Sequence, residues 1–145
     1  MTISIESLIS DGELADVDLS QQDLSGADLN GLVLRNVNLS NSRLSGAIFD
    51  TSDCQNVNFH QAKLDGASFA DSTLAHCVFS GSDLSSVIFL EARLIDCQLT
   101  DSKMSSSDLS ASSFDQCCLS DTDLSDANLE LSSFNSCQFT NSKLH

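Results

Sequence analysis

Residues 24–49 read LSGADLNGLVLRNVNLSNSRLSGAIF, with Leu24, Leu29, Leu34, Leu39, Leu44 and Phe49 spaced five apart. Continued in both directions, the same step runs from Leu14 to Leu144 through 27 consecutive apolar positions. It collects all eight Phe, and Cys54 is the smallest member. Two residues before each large residue stands a mostly small one, such as Ala27, Ser42, Ala47, Ala67, Cys77, Ser82 or Ala127. Gln22 and Leu32 are the bulkiest exceptions. Neither an alternating strand nor a helix produces this period. On a helix each step of five would rotate the next large residue by about 140° and scatter them around the circumference. Five residues therefore form one structural unit.

Sorting every fourth unit reveals a second period of twenty. One column reads Val17, Val37, Val57, Cys77, Cys97, Cys117, Cys137. A second column reads Asp23, Arg43, Lys63, Asp83, Lys103, Asp123, Lys143, and gathers four of the six basic residues. Another apolar column is Leu29, Phe49, Phe69, Phe89, Leu109, Leu129. Four units therefore make one larger period of twenty residues.

The segments Ala27-Asp28-Leu29-Asn30-Gly31, Val37-Asn38-Leu39-Ser40-Asn41 and Ala127-Asn128-Leu129-Glu130-Leu131 resemble the A(D/N)Lxx unit of the pentapeptide repeat family. The resemblance spans about residues 12–145. It implies an all-β fold, a right-handed quadrilateral parallel β-helix of about seven 20-residue coils with one pentapeptide per face, the large residue and the small one two before it inward and the other three outward. Coils stacked at the β spacing of about 4.8 Å make a rod of roughly 32 Å. No coil buries its apolar interior alone, so a long run is required.

Residues 1–11 are expected to form a short N-terminal capping helix, and residues 12–145 the β-helix. Ile5, Leu8 and Ile9 supply an apolar stripe, Thr2 or Ser4 an N-cap, and Gly12 a stop. The opposite end ends on Phe134, Phe139 and Leu144 with only His145 beyond. Either two chains meet end to end through these residues, or the sequence is an excerpt of a longer chain. The expectation is an end-to-end homodimer.

The charge restricts partners. Six Lys and Arg against 21 Asp and Glu give −15, which excludes ordinary electropositive binding of nucleic acid. No apolar run approaches a membrane span and the first residues lack a basic leader region, so a cytoplasmic protein without membrane contact is expected. Catalytic, cofactor and metal sites are not expected. His60, His76 and His145 fall on outward positions without partners at ligand spacing, and the register never breaks to make an active-site loop. The cysteine column reads as packed thiols rather than bridges, with Cys118 the outward exception and Cys54 leaving a small gap. The Asp23 column reads as cross-coil ion pairs.

The surface carries the functional expectation. The face centred on the Leu29 column carries six acids, Asp28, Asp50, Asp71, Glu91, Asp108 and Glu130, and no base. It also places Ile48, Ile88, Leu90 and Leu131 outward. A partner-binding surface for a basic protein is expected there, within a non-enzymatic interaction or scaffold module. The alternative comes from the resemblance. Some members of the family are dimeric rods that mimic DNA and inhibit or protect DNA gyrase. Fifteen charges over roughly 32 Å approach the duplex value of one per ~1.7 Å. The gyrase-directed members pair through a C-terminal helical element and some carry projecting loops, neither of which this sequence has.

Overall fold

The computed structural model describes residues 4–144. Seven three-residue strands stack in one parallel sheet in chain order: β1 (Glu13–Ala15), β2 (Val33–Arg35), β3 (Asp53–Gln55), β4 (Thr73–Ala75), β5 (Arg93–Ile95), β6 (Ser113–Asp115) and β7 (Ser133–Asn135). Leu14 pairs with Leu34, Leu34 with Cys54, and so on to Phe134, each partner twenty residues on. The other three faces are joined by single parallel bridges at the same offset, as in Asp18 to Asn38, Asp23 to Arg43 and Asp28 to Ile48. The molecule is therefore the expected four-sided right-handed β-helix.

Stacked phenylalanines measure the coil rise. Ring centroids of Phe49 and Phe69 lie 4.6 Å apart, Phe59 and Phe79 4.7 Å, and Phe114 and Phe134 4.8 Å. Rings in adjacent columns meet edge to face, as Phe59 and Phe69 do at 5.7 Å and 87°. Both arrangements suit the ring quadrupole, so the columns lock laterally as well as axially. The central residues from Leu14 to Leu124 are buried, as are Ala47, Ala67, Val87 and most of the other small inward residues between them.

The corners turn on an outward residue rather than on the small inward one. The residue two after each centre takes a left-handed conformation: Gly26 φ 70°, Thr51 φ 55°, Asp71 φ 57°, Glu91 φ 57°, Leu131 φ 61°. An N–H then reaches back across it, Ala27 to the Leu24 carbonyl at 3.0 Å and Ala92 to the Phe89 carbonyl at 2.9 Å. A positive φ at the third turn position defines a type II turn. The small inward residue follows that turn. Where it is Ser, its hydroxyl commonly donates to the same carbonyl, as Ser72 does to Phe69 at 2.5 Å and Ser82 to Phe79 at 2.6 Å, whereas the Ser102 and Ser107 hydroxyls have no such partner.

The corner after β1–β7 lacks that turn hydrogen bond among the described residues. Its inward column is the Val and Cys column, and each thiol donates to a carbonyl one coil back. Cys77 reaches Cys54 at 3.6 Å, Cys97 reaches Leu74 at 3.4 Å, Cys117 reaches Leu94 at 3.5 Å and Cys137 reaches Phe114 at 3.3 Å. The thiols thus partner carbonyls that accept a turn N–H at other corners, a role Val cannot fill.

At the N-terminus, in place of the helix expected over residues 1–11, the described residues form a single 3-10 turn, Ile5–Leu8. Thr2 lies outside the described residues, and Ser4 stands at the N-cap without a side-chain bond to the backbone. One turn is too short to lay down an apolar stripe. Ile5 is buried and Ile9 packs on the core, but Leu8 faces solvent. Gly12 does not stop a helix. With Asp11 (φ 51°) and Gly12 (φ 73°) central, Ser10 and Glu13 exchange two backbone hydrogen bonds at 2.9 Å. Two positive φ values make this a type I′ turn, for which Asp-Gly is a preferred pair. At the other end burial thins after Leu124: Phe134 and Phe139 are half-buried and Leu144 is 56% exposed.

Candidate protein-docking face

The face centred on Leu29, Phe49, Phe69, Phe89, Leu109 and Leu129 presents three outward rows. The row before the centres stacks Asp28, Ile48, Ser68, Ile88, Asp108 and Asn128 in bridge register. The row after them is Asn30, Asp50, Ala70, Leu90, Ser110 and Glu130, and the left-handed row is Gly31, Thr51, Asp71, Glu91, Ala111 and Leu131. All nine expected docking residues, Asp28, Ile48, Asp50, Asp71, Ile88, Leu90, Glu91, Asp108 and Glu130, fall on this one side. No basic residue joins them.

The first row has a structural task that the sequence reading missed. Asp28 Oδ1 accepts the Asn30 N–H at 3.1 Å, Asp108 Oδ1 that of Ser110 at 3.0 Å, and Asn128 Oδ1 that of Glu130 at 3.0 Å. The acidic or amide residue thus satisfies a backbone donor that the turn leaves free. The signal was visible as the D/N of the A(D/N)Lxx unit. At Phe69 the coil below supplies the acceptor instead: Asp50 Oδ1 takes the Ala70 N–H at 3.0 Å and the Ser68 hydroxyl. Ile48 and Ile88 provide no acceptor, and the N–H groups of Asp50 and Leu90 find none among the described residues.

The exposed apolar residues therefore work against the coil's own preferences. Ile48 and Ile88 are 38% and 37% exposed where an Asx side chain would cap the turn, and Leu90 is 37% exposed over an uncapped N–H. Leu131 holds φ 61° at 83% exposure, a conformation costly to a branched side chain and rewarded there by no packing. Local departures from a fold's rules concentrate at functional surfaces.

Elsewhere several expectations are corrected. The Asp23 column is stacked in register, but the carboxylates of Asp23 and Asp83 bond locally rather than in close ion pairs with the cations above or below. Asp23 Oδ1 accepts the Ser25 hydroxyl at 2.7 Å and Asp83 Oδ1 that of Ser85 at 2.7 Å. The carboxyl of Asp23 is held below its usual range first by this hydroxyl and then by the Ser25 N–H. The β1–β7 face carries close cross-coil contacts, one of them an Arg–Glu ion pair and one a His–Asp hydrogen bond. Glu13 accepts from Arg35, and His76 Nδ1 lies 2.8 Å from Asp96 Oδ2. His76 had no partner in the sequence reading because Asp96 is twenty residues away. His60 is exposed, and His145 lies outside the described residues. No group of three His, Cys, Asp or Glu side chains among the described residues is arranged to hold a metal ion.

All six cysteines are free thiols. Burial pushes the Cys54 thiol up to about 12, with the Ser52 hydroxyl 3.6 Å from its sulfur. Cys117 is pushed upward by the Cys97 thiol and by burial. Cys118 is only partly exposed, but the Thr100 hydroxyl 3.3 Å away and the Ser120 N–H lower its pKa. The thiolate is the nucleophile. Iodoacetamide at pH 8 is therefore expected to label Cys118 ahead of Cys54, Cys77, Cys97 and Cys117, read by peptide mass spectrometry. Equal labelling of all five in the native state would contradict the inward column.

The molecule so defined is a rod without an enclosed cleft at this face, whose distinguishing surface is acidic, partly apolar and rigidly spaced. The sequence profile of the pentapeptide repeats matches in eight copies over residues 13–50, 52–89, 92–130 and 117–145, and the chain belongs to that family. No curated protein matches the chain by sequence. Among solved structures it is similar to a pentapeptide repeat protein from the thylakoid lumen of Arabidopsis thaliana, at 22% identity and a TM-score of 0.63, covering 77% of this chain and 70% of that one. A pentapeptide repeat protein from the cyanobacterium Cyanothece 51142 aligns at 16% identity and a TM-score of 0.50, covering 92% and 88%. QnrB1, a plasmid-mediated fluoroquinolone resistance protein, aligns at 19% identity, 89% and 90% coverage and a TM-score of only 0.39. These likenesses are of fold. No helix among the described residues is long and apolar enough to cross a membrane.

Proposed function

We propose that this chain is a non-enzymatic interaction module whose Leu29-column face docks a basic protein. The observation that carries the reading is the placement of Ile48, Ile88, Leu90 and Leu131 in solvent, inside a field of six carboxylates, at positions where the repeat itself favours other residues. Acidity alone would be weak support. Much of it serves the backbone, through Asx acceptors such as Asp28 and Asp108 and left-handed residues such as Asp71. Exposed apolar side chains serve neither purpose, and together they make the kind of patch that partners cover.

The test is reversal of Asp50, Asp71 and Glu91 to Lys in one variant. Asp71 and Glu91 are exposed and Asp50 gives up its bonds to the Ala70 N–H and the Ser68 hydroxyl, so the variant is expected to stay folded with a thermal midpoint lowered by several degrees, while capture of basic partners falls at least ~10-fold at physiological salt. Retained capture by the folded variant would remove this face from consideration. A gyrase supercoiling assay with the same pair of proteins tests DNA mimicry, which the density of negative charge along the rod supports. Inhibition lost in the variant would make a DNA-binding enzyme the partner. No inhibition by the wild-type protein would discard that alternative and leave other basic proteins.

A further inference from the structure

The four exposed apolar residues are not scattered over the face. Ile48 stands in the first outward row of the second coil, with Ile88 two coils above it in the same row. Leu90 is in the middle row of that fourth coil, and Leu131 in the last row of the sixth. Ile48, Leu90 and Leu131 thus lie on a diagonal crossing the face from one edge to the other, with Ile88 beside its midpoint. The carboxylates flank it. Asp50, Asp71 and Glu91 lie on one side, Asp108 and Glu130 on the other.

The spacing is regular. Stacked rings in successive coils lie 4.6–5.1 Å apart, in keeping with a β spacing of about 4.8 Å per coil. Two coils are therefore about 9.6 Å of axis, the two extended steps from the row of Ile48 to that of Leu90 add about 6.6 Å across the face, and the further step to the row of Leu131, at the left-handed turn position, adds at most about 3.8 Å. Ile48 to Leu90 is then about 12 Å and Leu90 to Leu131 about 10 Å. Seven residues of an α-helix advance about 10.5 Å and return to nearly the same side. An apolar stripe at i, i+7 and i+14 matches the diagonal.

The backbone excludes an added strand on this face. The centres and the outward rows one before and two after them use their donors between coils, as in Ile88 N–H to Ala67, Phe89 N–H to Asp108 and Glu91 N–H to Ser110, and the row between has only isolated donors such as Leu90 N–H. A ladder has no free edge here, so recognition falls to side chains. Charge excludes anionic lipid surfaces, nucleic acid and a second copy of the same face.

We infer that the occupant of this face is an amphipathic α-helix of a partner protein, laid along Ile48, Leu90 and Leu131 with apolar residues every seventh position and Lys or Arg on both flanks. The inference rests on the docking reading above and names the shape of the ligand.

The probe is a fluorescent peptide of about 18 residues with Leu spaced by sevens, Lys on both flanks and Ala between. Its control carries a central Ala→Pro substitution, which blocks the helix without altering charge. Two protein variants are compared by anisotropy and circular dichroism. One carries Ile48→Ser, Leu90→Ser and Leu131→Asn at unchanged charge, and the other is the triple Lys reversal. Expected are helix gain on binding, at least ~10-fold weaker binding of the Pro peptide, and a similar loss with the apolar variant. Equal binding of both peptides, lost only on charge reversal, would overturn the helix and leave an acidic docking face. Binding indifferent to both variants would overturn the face as well. No binding of the helical peptide to wild-type protein at low salt overturns the inference.

Discussion

Phe69→Ala is expected to destabilise the protein by about 3–5 kcal/mol, the cost of removing a buried ring and leaving a cavity the surroundings cannot fill. Phe69 is fully buried and stacks on Phe49 at 4.6 Å and on Phe89 at 5.1 Å. It also meets Phe59 and Phe79 edge to face at 5.7 and 5.8 Å. Relaxation is restricted from every side. The coils above and below are held at the β spacing by backbone bonds such as Phe69 N–H to Ile88 at 2.7 Å, so they cannot move together to close the gap. For a domain of this size the loss corresponds to a fall in thermal midpoint of roughly 10 °C or more. Calorimetry or circular dichroism decides it, and an unchanged midpoint would contradict the axial aromatic core. Leu84→Ala, at another buried centre, is expected to cost about 2–5 kcal/mol.

Proline provides the second large effect, and its position should decide the outcome. The chain contains none. In the unit around Phe89 the N–H groups of Ile88, Phe89, Glu91 and Ala92 all donate, to Ala67, Asp108, Ser110 and Phe89 respectively. Leu90 alone has no acceptor there, and it is the second residue of a type II turn closed by Ala92. That is a position at which proline is common. Ile88→Pro removes a 2.9 Å bond between coils and wedges a ring against the chain, for a loss of about 3 kcal/mol or more. Leu90→Pro, two residues on, is expected to change stability by less than about 1 kcal/mol. Matched urea melts distinguish them. Equal damage from both would mean that the turn type is wrong.

Much of the architecture could be read before any coordinates. The step of five from Leu14 to Leu144 and the twenty-residue recurrence of Val17, Val37, Val57 and Cys77 are one-dimensional records of a solenoid, because each coil contacts only its neighbours. The nine docking residues were placed on one face by the same arithmetic. The N-terminal segment was less legible. Ile5, Leu8 and Ile9 carry a helical spacing, yet Asp11-Gly12 turns the chain at once and leaves room for one 3-10 turn.

The sequence by itself determined the periods of five and twenty and, through its resemblance to the pentapeptide repeats, implied the four-sided coil, the inward columns and the separation of acids from bases among the faces. Only the tertiary structure decided how each outward residue spends its hydrogen bonds. Stacking places Asp96 on His76 and Asp50 beneath Ser68, while Asp23 turns to its own Ser25 instead of the Arg43 above it. It also decided that residues such as Thr51 and Leu131 bear the left-handed turn, and that Ile48, Leu90 and Leu131 line up across the face. Periodicity specifies which side chains share a column. The distance between columns and the conformation at each corner arise only when backbone N–H and carbonyl groups of successive coils find one another.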